Sequence, residues 1–231
     1  MENIVSEMID RRKFLAGAGV SSLVLMSLGG CGSSQKAKPG QPHYAMVFDQ
    51  NKCVGCRDCR VACKETNKVP DGNARLMLEL QGDKVEGERG YAKNRKYVRV
   101  SCQQCKDAPC VTVCPTGAAH RDAKTGIVTM DASKCVGCKY CIVACPYNAR
   151  FINNETKVAE NCDFCLHTRL NKGEEPACVS SCKYDALVFG DINDPKSYIS
   201  KLLAVKDSVR IRPELGTNPS LRYIPIVKKG V

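Results

Sequence analysis

An α+β fold with little regular structure is what this sequence predicts, and three observations carry that expectation. Sixteen of its seventeen cysteines fall into four tight groups, only 6% of its residues are aromatic with no tryptophan, and short apolar or alternating runs separate the groups. Rings usually supply much of the area a core buries. A chain of 231 residues this poor in them needs staples, either disulfides or metal centres. Cysteine-held centres couple their own ligation to folding and replace much of a hydrophobic core. The length leaves room for one or two small domains after a leader.

The leader comes first. Residues 10–31 read "DRRKFLAGAGVSSLVLMSLGGC": Arg11 and Arg12 precede a mildly apolar run from Phe14 to Gly30. That run is Gly- and Ser-rich and 17 residues long, a poor spanning helix and a good signal-peptide core. "RRKFL" resembles the twin-arginine export signal, with Asp10 where Ser or Thr is usual and Ala16 where Lys is usual. "LGGC", Leu28 to Cys31, resembles a bacterial lipoprotein box, in which Cys31 would be acylated and become the new N-terminus. Two acyl chains suffice for stable anchoring. The alternative is a retained leader that itself anchors the chain. Residues 32–43, with their Gly, Ser, Pro and Lys, read as a flexible tether.

Strands are expected at 44–49 ("YAMVFD"), 96–101 ("KYVRVS"), 126–131 ("GIVTMD"), 149–153 ("ARFIN") and 186–191 ("ALVFGD"). Residues 67–95 read as a polar surface connector. Short helices should follow the third cysteine of the first and third groups. In the extension 193–231, Asp194 as N-cap and Pro195 in the first turn predict a helix to about Val205. Its inward residues would be Tyr198, Ile199, Leu202 and Leu203.

The four groups are Cys53, Cys56, Cys59, Cys63; Cys102, Cys105, Cys110, Cys114; Cys135, Cys138, Cys141, Cys145; and Cys162, Cys165, Cys178, Cys182. Groups one and three have the C-x2-C-x2-C-x3-C spacing of bacterial two-cluster ferredoxins, and Pro146 follows the third. Groups two and four keep the opening C-x2-C and closing C-x3-C around a longer middle. Residues 49–63 and 131–145 agree at ten of fifteen positions, an internal repeat. Three cysteines at x2 gaps wrap one cubane, and Gly55 and Gly137 inside the loops permit close approach and positive φ. The fourth cysteine, a helical turn on, points away and in two-cluster ferredoxins ligates the other cluster. Disulfides fit poorly, because cysteines so close in a wrapped loop rarely meet the required geometry. All-cysteine zinc sites usually read as two knuckles separated by a longer loop. Iron–sulfur cubanes fit all four groups.

Export normally argues for disulfides. Twin-arginine transport, which carries folded and cofactor-loaded proteins, reconciles export with clusters assembled on the reducing side. The formal charge of +11 counts every thiol as neutral. Four clusters at roughly −2 each would bring it to about +3, so the basicity is largely counter-charge and nucleic acid is not an expected partner. Lys52, Arg57, Arg60 and Lys64 around group one read as a solvated rim, or as a docking face. His43, His120 and His167 have no metal-ligand spacing.

"CVGCRDCRVACKETNKVPDG", "SCQQCKDAPCVTVCPTGA", "KCVGCKYCIVACPYNARFI", "CDFC…PACVSSC", "FGDINDP" and "GTNPSLRYIP" together resemble the four-cluster ferredoxin-like subunits of respiratory complexes. That family serves polysulfide, tetrathionate, thiosulfate and dimethyl-sulfoxide reductases and formate-dependent nitrite reduction. The export leader and "SCQQC…APC…CPTGA" are similar to the NrfC-type members in particular. The match covers about residues 43–228. It implies two intertwined two-cluster ferredoxin-like lobes, one from about 44–66 and 154–192 and the other from about 96–153. It also implies four 4Fe–4S clusters, held by Cys53, Cys56, Cys59 with Cys182; Cys162, Cys165, Cys178 with Cys63; Cys135, Cys138, Cys141 with Cys114; and Cys102, Cys105, Cys110 with Cys145. With every iron protein-ligated there is no open site for substrate, and no catalytic residue is expected. The implied role is a relay between an integral-membrane quinol dehydrogenase and an exported terminal reductase, either a multihaem cytochrome c or a molybdopterin subunit. The expected place is the periplasmic face of the cytoplasmic membrane.

Overall fold

A computed structural model describes residues 40–81 and 96–226. The leader, Cys31, most of the tether, the second half of the connector and the last five residues of the extension lie outside the described residues. Among the described residues no helix is long and apolar enough to cross a membrane.

The centre of the fold is β1 (Tyr44–Asp49), whose residues 45–49 are all buried. Its alternating side chains serve two cores. Met46 and Phe48 join the cluster that contains the cysteines, whereas Ala45 and Val47 pack with Ile199 and Ile224. The partners of β1 come from the end of the chain. β8 (Leu187–Asp191) lies antiparallel to it, with Tyr44 opposite Asp191, and β9 (Leu221–Ile224) lies parallel on its other edge.

Among the described residues three two-stranded hairpins complete the sheet structure. β2 (Leu76–Gln81) pairs with β3 (Lys96–Ser101), β4 (Ala119–Arg121) with β5 (Val128–Met130), and β6 (Arg150–Ile152) with β7 (Ala159–Asn161). The expected connector therefore contains a strand: Leu76 is buried and Leu78 packs against the core.

Each cysteine group carries one helix that begins one residue before its third cysteine. These are α1 (Asp58–Thr66), α2 (Pro109–Thr112), α3 (Tyr140–Val143) and α4 (Ala177–Ser180). Helix α1 packs on α4, and α2 packs on α3. The ends of the chain thus meet each other, and the middle folds on itself.

The last helix, α5 (Tyr198–Val205), differs from the expectation in two details. Its N-cap is Ser197, whose Oγ accepts from Ser200 N at 3.2 Å. Asp194 instead caps the preceding turn, accepting from Lys196 N. With the start three residues later, Ile199 faces the sheet at 0% exposure while Tyr198 points outward at 65%. The approach is close, since a Cβ on Gly190 would lie 3.0 Å from Ile199 Cγ2.

Candidate metal centres

All sixteen described cysteines are free thiols. The residue before the second cysteine has the same left-handed backbone in every group: Gly55 at φ +75°, Gln104 at +48°, Gly137 at +68° and Phe164 at +55°. That turn lets the loop curl so that successive sulfurs face one point. Glycine adopts it without strain, whereas Gln104 and Phe164 must be held there by packing. Phe164 is buried and meets Phe189 edge-on, with ring centroids 5.2 Å apart. Gln104 is also buried, and its amide donates to Cys162 O at 2.7 Å and Val128 O at 3.0 Å while accepting from Val128 N at 2.7 Å.

Two cavities open where these loops converge. One is lined by Cys53, Cys56, Cys59 and Cys182, with Phe48, Leu78 and Leu187 among its walls. The other is lined by Cys102, Cys105, Cys110 and Cys145, with Val128, Tyr147 and Arg150. In each, three cysteines come from one loop and the fourth from a distant group. No group of three or more Cys, His, Asp or Glu among the described residues converges tightly enough to hold one metal ion. Four thiols from two separate groups around one cavity are the donor set that an iron–sulfur cube takes.

The remaining eight cysteines sort less completely. Cys63 has Cys162, Cys178 and Cys165 as its thiol neighbours. Asn67 Nδ2 lies 3.8 Å from Cys63 Sγ and 3.4 Å from Cys165 Sγ, and Arg99 Nη1 and Nη2 lie 3.4 Å and 3.7 Å from Cys178 and Cys162 Sγ. Cys114 neighbours Cys141. Cys135 is half-buried and Cys138 is exposed.

The electrostatics of the sulfurs divide by depth. Burial pushes the Cys59 thiol up to about 12 and those of Cys105 and Cys162 to about 11, and it raises Cys63 and Cys102 as well. Such thiols stay protonated at neutral pH unless a cation displaces the proton. Donors are already aimed at several of them. Ala119 N donates to Cys114 Sγ at 3.3 Å and Ala186 N to Cys182 Sγ at 3.4 Å, each from the turn after a group's last cysteine. At Cys114 burial opposes the thiolate, but the Ala119 N–H and the Thr116 hydroxyl outweigh it and hold the thiol below its usual value. The Gln104 amide, bonded to Cys162 O, ties the second cysteine loop to the fourth group.

Gln104, Arg99 and Arg150 were not among the expected site residues. The signal available for Gln104 was an amide pair inside a C-x2-C loop. The rim charges Lys52, Arg57, Arg60 and Lys64 are exposed, and Lys64 pairs with Asp71. The histidines serve structure: His43 meets Ser220 Oγ at 3.0 Å, His120 meets Ala118 O at 2.9 Å and His167 meets Thr129 Oγ1 at 3.1 Å.

Residues 94–192 match the family model described as the 4Fe-4S dicluster domain. The B subunit of polysulfide reductase from Wolinella succinogenes is 47% identical over 188 residues, 81% of this sequence and 97% of that one. Protein NrfC of Escherichia coli K12 is 47% identical over 215 residues, covering 93% and 95%. The thiosulfate reductase electron transfer subunit PhsB of Salmonella typhi is 46% identical over 167 residues, covering 72% and 84%.

Proposed function

This chain belongs to the 4Fe-4S dicluster family that includes the polysulfide reductase B subunit and NrfC, and from that premise we propose how it carries current and between which partners. It holds four 4Fe–4S clusters and is a non-catalytic electron-transfer subunit. Each cluster supplies one-electron redox chemistry. The ligand sets are Cys53, Cys56, Cys59 with Cys182; Cys162, Cys165, Cys178 with Cys63; Cys102, Cys105, Cys110 with Cys145; and Cys135, Cys138, Cys141 with Cys114.

The observation that carries this reading is the pair of cavities walled by three cysteines of one loop and a fourth from a distant group. Around them the chain does the protein's share of the work. Phe48, Leu78, Leu187, Val128 and Tyr147 exclude water, which lowers the local dielectric and the reorganisation that each change of charge demands. The N–H groups of Ala119 and Ala186 stabilise negative charge on sulfur. Between the lobes, the Gln104 amide joins the loop of Cys102 and Cys105 to Cys162.

The subunit passes electrons from an integral-membrane quinol dehydrogenase to an exported terminal reductase. A multihaem cytochrome c that reduces nitrite is the first choice of acceptor, in line with the similarity to NrfC. A molybdopterin oxidoreductase is the second, favoured by the similarity to the polysulfide and thiosulfate reductase subunits. The chain is exported by the twin-arginine route through Arg11 and Arg12 and anchored at the periplasmic face through acylated Cys31.

Anaerobically purified protein should contain about sixteen iron and sixteen acid-labile sulfide atoms per chain. Colourless protein, or protein with zinc in their place, defeats the cluster assignment. Cys31→Ser should block both acylation and cleavage at the box, so the variant keeps its leader and runs more slowly in gels; an unchanged mobility removes the lipid anchor. Reduction by quinol in membranes holding the neighbouring reading frames, with cytochrome or molybdenum subunit supplied in turn, decides between the two acceptors.

A further inference from the structure

Two arginines are buried among the cysteine sulfurs. Arg99, on β3, is 1% exposed; its guanidinium reaches Cys178 and Cys162 Sγ, and its Nε donates to Ser101 Oγ at 2.9 Å. Cys59 is its next thiol neighbour. Arg150, at the start of β6, is 5% exposed and lines the cavity of Cys102, Cys105, Cys110 and Cys145. Its Nε, Nη1 and Nη2 find no well-aligned acceptor, and the thiols of Cys110 and Cys141 are the groups they approach. The thiols nearest it are Cys110, Cys102 and Cys141.

A buried guanidinium without an anion is expensive, and such a group persists only where a counter-charge arrives. The neighbours of each arginine come from two ligand sets. Arg99 faces Cys59 of one set and Cys162 and Cys178 of another. Arg150 faces Cys102 and Cys110 of a third set and Cys141 of the fourth. This division rests on the ligand assignment given above.

We propose that Arg99 and Arg150 are shared counter-charges, one per lobe, each seated between two clusters so that it raises the reduction potential of both. Reduction adds one negative charge to a cluster, and a fixed cation in a dry site favours the more negative state. The arginines are positioning residues: they move no proton and carry no electron.

The test is redox titration followed by electron paramagnetic resonance on anaerobically purified holoprotein, with iron and sulfide counted in every sample. The set is the wild type, Arg150→Gln, Arg150→Lys, Arg99→Gln and Arg99→Lys. Arg150→Gln should shift two of the four transitions negative. The expected change is at least tenfold in the oxidised-to-reduced ratio at fixed potential, or about 59 mV for one electron. Arg99→Gln should shift the other two, and both Lys variants should return most of the difference. Loss of two clusters from a Gln variant with retention in its Lys counterpart also supports the idea, because charge then holds them. Full clusters with unmoved potentials, the same pair moving in both Gln variants, Lys shifting as far as Gln, or cluster loss from Gln and Lys alike would each overturn it. Wild-type protein lacking four clusters defeats the ligand assignment itself and is recognised before any variant is compared.

Discussion

The ring of Tyr97 closes over the first cysteine loop at Gly55, where a Cβ built on the glycine would fall 2.2 Å from Tyr97 Cζ. Gly55 also holds φ +75°, so Gly55→Ala meets backbone strain and a clash together. Gly137 occupies the same place in the repeat at φ +68°, yet its nearest obstacle is Lys157 O at 3.2 Å. Gly137→Ala should cost about 1–2 kcal/mol of strain. Gly55→Ala should cost clearly more and lower the iron content, and adding Tyr97→Ala should return part of the loss. Thermal unfolding of holoprotein with iron analysis checks the ranking; equal effects at the two glycines would refute it.

Arg75 ties the start of β2 to the fourth cysteine group. Its Nε and Nη2 donate to Glu160 Oε2 at 3.0 Å and 2.9 Å, and its Nη1 donates to Asp163 Oδ1 at 3.1 Å. Asp163 in turn accepts from Cys165 N at 3.1 Å. Arg75→Met leaves two largely buried carboxylates without their cation, a loss on the order of 3 kcal/mol. The expected readout is a lower unfolding midpoint and early loss of iron on dilution into chelator. A variant matching wild type in both would remove Arg75 from the account of the fold.

Tyr223 predicts an alkaline limit. Its hydroxyl donates to Arg99 O at 2.7 Å, and burial pushes its pKa up to about 12. The folded state therefore favours the protonated phenol. That stability is fully present below the ordinary tyrosine value of about 10 and drains away as pH rises from about 10 to about 12. Tyr223→Phe should lose about 1 kcal/mol at neutral pH and show a shallower decline over the alkaline window. Unfolding midpoints of both proteins against pH measure this, and parallel alkaline limbs would count against it.

Oxygen should attack the clusters in a fixed order. Cys138 is exposed and Cys135 and Cys114 are half-buried, whereas Cys63, Cys162, Cys165 and Cys178 are all buried. Brief exposure to air should first convert the centre at Cys135, Cys138 and Cys141 to a three-iron form, visible in the spectrum of the oxidised protein. Cys138→Ser should advance that signal and leave the buried centre intact. First loss at the Cys162 set would contradict the exposure ranking.

The cysteine groups were legible because ligand spacing is a covalent constraint, readable without knowing the fold. β1 and β3 were legible as long β-rich runs. Residues 119–121 and 159–161 were not, because a three-residue strand exists only through its hairpin partner. "KYVRVS" misleads in a more instructive way. Arg99 and Ser101 look like the wet face of an alternating strand, yet they are the buried side, turned toward sulfur, while Val98 and Val100 are half-buried. Polarity marks the inside here because the inside is meant to hold charge. At α5, Asp194-Pro195 is the stronger capping pair in sequence, but the packing of Ile199 against Gly190 sets the start at Ser197.

β1 leaves the ribosome before both of its neighbours and must wait for them. The gap from His43 to Asp191 is 148 residues, a delay of roughly 7–30 s at bacterial elongation rates, and β9 arrives later still. During that interval every ligand through Cys182 has been made while the central strand is unsealed, which leaves a window for iron and sulfide delivery. Ser220 and Leu221 then bond to Gln103 O, pulling the final strand across the second cysteine loop as it docks on β1. The arrival of β9 thus acts as the latch: a chain ending before Ser220 would own all sixteen ligands and still leak.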